Sequence, residues 1–180
     1  MESDPTKVLY LSYDGLTDPL GQSQVLPYLK ELAKKRFAIS IISFEKKDRY
    51  NNLGFEIQSQ CLSSNIDWHP LVYHKTPPIL STVYDVWMLY KKSIKIYRVR
   101  GFKIIHCRSY ITSLIWLHFK KKFGVKFIFD MRGFWADERV EGGLWNLSNP
   151  VYKLVYRYFK KKEQSFLNES DYVISLTKNA

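Results

Sequence analysis

Apolar positions along this chain alternate between two spacings, and the alternation lays out the elements. Lys7–Ser12 (KVLYLS) is a short apolar run, followed by a loop carrying Gly15, Pro19 and Gly21. From Gln22 to Lys35 the residues Val25, Leu26, Leu29, Leu32 and Ala33 recur at helical spacing. Pro27 then belongs in or near the first turn, where a missing N–H does no harm. Ala38–Phe44 is β-branched and strand-like, and Arg49–Ser63 predicts a weak helix interrupted at Gly54. Ile66–Tyr73 reads as a strand that Thr76-Pro77-Pro78 turns into a loop. Ser81–Arg98 predicts a helix with Trp87, Tyr90, Ile94 and Tyr97 on one stripe. Lys103–Cys107, Tyr110–Lys122 and Lys126–Asp130 follow as strand, helix and strand, and a long loop comes next. Ser148-Asn149-Pro150 then reads as a cap with proline at the first helical position. That helix, to about Asn168, is expected to bury Val151, Leu154, Val155, Tyr158 and Phe166. Asp171–Leu176 is the last strand.

Strand-sized apolar runs joined by crossover helices define an α/β fold with a doubly wound parallel sheet, Rossmann-like and right-handed. Residues 1–180 are read as one such domain. Its 46% apolar and 16% aromatic content fills a core. The two cysteines, Cys61 and Cys107, suit neither a disulfide framework nor a zinc cluster, and they fit a reducing cytoplasm. The acidic, polar start MESDPTK is unlike a signal peptide, and no apolar run approaches the roughly 20 residues of a membrane span.

Charge adds information about partners. The net charge is +11, yet from Val86 to Phe129 there is no acidic residue and there are 11 lysines and arginines. Outside that stretch the two signs balance at 17 each. No helix-turn-helix, RNP or zinc pattern accompanies the basic quarter, so nucleic acid is not an expected partner. An anionic membrane surface is a candidate partner, with Lys91, Lys95 and Arg98 sharing one helix face.

In open α/β sheets, ligands bind beyond the carboxyl ends of the strands. After the first strand, Asp14, Gly15, Gly21 and Gln22 lie in a turn that leads into a helix N-terminus. That turn is either a cradle of free N–H groups for an anion or sugar hydroxyls, or a loop that simply needs glycine. Its spacing is not GxGxxG, so the dinucleotide fingerprint fails. After the fourth strand come His106, which is a core histidine or a ligand contact, and Arg108, which is harder to explain as packing. After the fifth, Asp130, Arg132, Gly133 and Trp135 head the densest polar and aromatic cluster, with Asp137, Glu138 and Arg139 behind them. Asp130 and Arg132 either pair with one another or face a polyol or phosphate. A rival reading, a nucleotide-binding enzyme of another class, rests on Glu45 at the end of the second strand, where an acid could grip a ribose. A non-catalytic binding domain is a further alternative.

The strings KVLYLS, GQSQVLPYLKELAKK, ISIISFE, KIIHCRSY, FIFDMRGFWADERVEGGLW and YVISLTKNA together resemble the family-four (group one) retaining glycosyltransferases of GT-B fold. DMRGFWADE is the most specific of them. The resemblance implies the acceptor-side half of a two-domain enzyme in glycan or cell-envelope polysaccharide synthesis. A donor-binding C-terminal domain, with its pair of glutamates, would lie outside these residues. It implies a nucleotide-sugar donor as co-substrate, a sugar or lipid-linked acceptor, no other cofactor and no catalytic metal, with the isolated chain inactive. By position, Asp14–Gln22 would face the donor phosphates and sugar, and Arg108 and Arg132 the acceptor. Many relatives carry a histidine where this chain reads Asp130-Met131-Arg132, so no catalytic base is named.

Overall fold

The computed structural model describes residues 4–176. Six strands run β1 (Thr6–Ser12), β2 (Phe37–Glu45), β3 (Ile66–Val72), β4 (Ile104–Arg108), β5 (Lys126–Met131) and β6 (Tyr172–Ser175). All pair in parallel, in the order β3-β2-β1-β4-β5-β6. This is the expected doubly wound, Rossmann-like sheet, and its strand order reverses between β1 and β4, the kind of point at which open α/β sheets form ligand crevices.

A π-helical stretch (Gly21–Val25) runs into α1 (Leu26–Ala33), and α2 (Lys47–Ser63) follows β2. Both pack on one face of the sheet through Leu26, Leu29, Ile57 and Cys61. The other face carries α3 (Leu80–Arg100), α4 (Ser109–Ser113), α5 (Trp116–Phe123), α6 (Trp135–Glu141) and α7 (Pro150–Glu169). Its larger core is built on Leu89, Trp116, Phe119, Phe127, Phe129 and Phe166.

Several boundaries differ from expectation for local reasons. The helix containing Gly54 is continuous, because the ring of Tyr50 lies over that buried glycine. The helix expected over Tyr110–Lys122 is two pieces, α4 and α5. In α4 the hydroxyls of Thr112 and Ser113 donate to the carbonyls of Arg108 (2.7 Å) and Ser109 (2.7 Å), offering the backbone a competing partner just before the break. The expected long loop after β5 contains α6. Helix α7 starts as predicted, with the Asn149 side chain accepting from the Val151 N–H at 2.9 Å. It buries Phe159, Glu163 and Phe166, however, and leaves Val151, Leu154 and Tyr158 exposed on an adjoining stripe. In α3 the face turned to the core is Asp85, Leu89, Ser93 and Ile96. Tyr90, Ile94 and Tyr97 pack partly against the core, and Trp87 faces solvent. Thr177–Ala180 of the last motif lie outside the described residues.

Candidate functional site

The loop after β1 folds around a carboxylate. Glu45, buried at the end of β2, accepts from the N–H groups of Leu16 (2.8 Å) and Thr17 (3.0 Å) and from the hydroxyls of Thr17 and Ser43 (2.5 Å each). Two amides read as free for an anion are therefore already taken, and so is the acid read as a ribose contact. Gly15 lies so close to Glu45 that a Cβ would stand 2.6 Å from its Oε2, and a Cβ on Gly21 would stand 2.0 Å from the Gly15 carbonyl. Both glycines are demanded by this close layering of loop on strand. Gln22 bonds back to the loop, its side chain donating to the Thr17 carbonyl at 3.0 Å. Asp14 is half exposed and reaches towards Arg108, 3.6 Å from its Nε.

Beyond β4 and β5 the predicted charges converge. His106, Arg108 and Asp130 are each at most 5% exposed. Asp130 lies 3.6 Å from His106 Nε2 and 3.8 Å from Arg108, with Arg132 at 3.9 Å on its other oxygen. Asp130 and Arg132 thus do approach each other, but as members of a larger set. His106 Nε2, Arg108 Nε and Asp130 Oδ1 have no hydrogen-bond partner among the described residues. Buried polar atoms without partners are costly, about 1–3 kcal/mol each, and these three cluster at the strand-order reversal.

Two residues that the sequence did not single out complete the crevice. Gln24 receives both guanidinium groups on one oxygen, Arg108 at 3.1 Å and Arg132 at 2.7 Å. Tyr28 stands edge-on to His106 at 6.0 Å and leaves 40% of its surface exposed. Burial, reinforced by the Asp130 charge, raises the Tyr28 phenol above its ordinary pKa. Gln24 and Tyr28 stand four apart on one side of the helical stretch, beside Val25 and Leu29 that fill the core. That spacing was the available signal.

The end of the cluster behaves differently. Trp135 sits partly buried among Tyr110, Trp145 and Phe159, with its ring at 4.8 Å from that of Phe159. Asp137 accepts from Tyr156 (2.7 Å) and Lys160 (2.8 Å), and Lys160 reaches on to the buried Glu163, which also takes the Tyr110 hydroxyl. These residues fasten α6 to α4 and α7. Gly133, at φ 130°, sits against the Glu138 carboxylate, at the edge of an open depression of about 500 Å³. A second depression, of about 600 Å³, opens at the opposite edge of the sheet beside Gly101 and Gly124, away from the crevice.

The crevice therefore offers acidic acceptors (Asp14, Asp130), guanidinium donors (Arg108, Arg132), an amide (Gln24), an imidazole (His106) and an aromatic face (Tyr28). Alternating donors and acceptors around an aromatic face are the means by which a protein grips a polyol.

No family model and no curated protein matches this sequence. Solved structures do share the fold. The protein VPA0982 of Vibrio parahaemolyticus, described as of unknown function, superposes with a TM-score of 0.50 at 10% identity over 99% of this chain and 98% of its own. The C-terminal domain of the PF1911 hydrogenase of Pyrococcus furiosus gives 0.50 at 12% identity, covering 71% of this chain and 91% of that one. MurG of Acinetobacter baumannii gives 0.47 at 10% identity over 72% of this chain and 36% of its own. At these identities the likeness is one of fold. Among the described residues no helix is long and apolar enough to cross a membrane.

Proposed function

We propose that this chain is the acceptor-side domain of a GT-B glycosyltransferase of the family-four type. It holds a carbohydrate or lipid-linked acceptor, to which a sugar passes from a nucleotide-sugar donor. The observation that carries this reading is the buried, incompletely satisfied set His106–Arg108–Asp130 at the strand-order reversal. The Rossmann-like, six-stranded parallel sheet is the fold such a domain requires. In this reading the acceptor's hydroxyls bond at the exposed rim of that set, to Asp14 and Arg132, and its ring lies on Tyr28. The donor is bound mainly by a second domain outside these residues. Arg108 and Arg132 line the acceptor side and supply fixed positive charge beside the reacting bond, a contribution that needs no metal and no protein base when the donor phosphate itself takes the acceptor proton.

Transfer assays on the product of the complete coding sequence test this. Arg132→Ala removes a partly exposed guanidinium and is expected to lower turnover about a hundredfold or more with little change in melting temperature. Arg108→Ala is expected to lower both, because it leaves the buried Asp130 carboxylate with one counter-charge fewer. Wild-type turnover in the Arg132→Ala protein would remove this crevice from the reaction.

A further inference from the structure

We infer that the outward face of α3 is a docking surface for an anionic lipid bilayer. The inference stands on the surface of the helix and does not rest on the sugar-transfer reading. A surface helix ordinarily turns a polar face to water. Here Asp85, Leu89, Ser93 and Ile96 turn inward, and directly opposite them, in the first half of the helix, stand Leu80, Val83, Tyr84 and Trp87, exposed at 67%, 61%, 46% and 47%. The same row continues along the second half as Lys91, Lys95 and Arg98, all exposed. The outward face is thus apolar and aromatic for two turns and cationic for the next two. Over its 21 residues it is about 30 Å long.

Three further observations narrow the occupant to lipid. The charge has one sign, since the sequence has no acidic residue from Val86 to Phe129, and the neighbouring Asp85 is buried against Tyr13 and His74. The Lys91 ammonium lies 4.1 Å from the centre of the Trp87 ring, so its stem runs along the apolar half and its charge lies at the boundary between the halves. Tyr and Trp beside lysine are the residue types that settle at the headgroup level of a bilayer. Because α3 follows β3 and precedes the parallel strand β4, its apolar first half lies at the carboxyl edge of the sheet, the edge that carries the crevice. Docking by this face brings the crevice to the membrane surface.

Co-sedimentation of the full chain with vesicles tests the inference. The protein is expected to pellet with vesicles of equal parts phosphatidylcholine and phosphatidylglycerol at low salt, and to stay in solution with pure phosphatidylcholine or at high salt. Replacing Lys91, Lys95 and Arg98 by glutamine should weaken the partition about a hundredfold, and Leu80→Ser with Trp87→Ser should do the same. Lys34→Gln with Lys47→Gln, on the side of α1 and α2, should leave it unchanged. Brominated phosphatidylglycerol should quench tryptophan emission in the wild type and much less in Trp87→Phe, which keeps the test valid if a multiple variant misfolds. Indifference to lipid charge, absence of binding, or α3 variants that bind as the wild type does would overturn the inference. So would a dimer seen in sedimentation equilibrium that the serine variant dissociates while vesicles bind neither protein.

Discussion

The carboxylate of Glu45 satisfies two amides and two hydroxyls within the fold, and no water is needed to complete that set. Glu45→Ala leaves those donors without acceptors in a buried place, where each unmade bond to a charged partner is expensive. We expect a loss of about 3 kcal/mol in urea unfolding, with the loop Asp14–Gln22 losing its amide protection in hydrogen exchange. An unchanged midpoint would mean that the loop holds its shape by backbone contacts alone. The crevice was legible in the sequence where it is made of charge: Arg108, Asp130 and Arg132 stand at or just past strand ends, where packing gives little reason for a charge. It was illegible where it is made of neutral groups. Gln24 and Tyr28 look like any exposed residue on a helix, and only the approach of Arg108 and Arg132 to the same glutamine oxygen reveals what they do. Trp135, next to charges in the sequence, is partly buried and packs against the core.

At the scale of elements, the inner strands β1, β2, β4 and β5 were read closely because burial on both faces leaves a continuous apolar run that little else can be. Helices were harder to orient. In α7 two adjoining apolar stripes compete, one through Val151, Leu154 and Tyr158 and one through Phe159 and Phe166, and the sheet takes the second. Periodicity measures the angle between positions and carries no information about which of two stripes meets a partner. In α3 the buried face includes Asp85 and Ser93, so hydrophobicity pointed away from it. The start of α7, by contrast, is set by local chemistry, and local chemistry is readable. Asn149→Ala removes the bond to the Val151 N–H and should cost about 1 kcal/mol, seen as a fall of a few degrees in melting temperature. The adjacent Ser148→Ala, whose side chain is not the cap, serves as the control and should be neutral.

For the whole molecule, the six-stranded parallel sheet follows from the alternation of elements, and the order of its strands from the hand of the crossovers. The cluster around Asp130 lies at the carboxyl edge of that sheet, and in the reading above the facing wall belongs to a second domain. A ligand held there by one wall remains half solvated, so titration calorimetry of the 180-residue chain with nucleotide sugars is expected to show no binding in the micromolar range. Micromolar binding would mean that the donor site lies within this chain, against the division of labour proposed above.

Strand β6 forms one margin of the described sheet. Strand β6 pairs with β5 alone among the described residues, and Tyr172, Val173 and Ile174 on it are exposed. Such a margin acts as a seed face does in crystal growth: the positions of the next layer are already laid out, and any extended peptide can occupy them. In a preparation of the 180-residue chain, concentration is then the variable that brings a second chain onto this margin. A single gatekeeper charge, Ile174→Lys, is the change that would make the margin unattractive to a second chain.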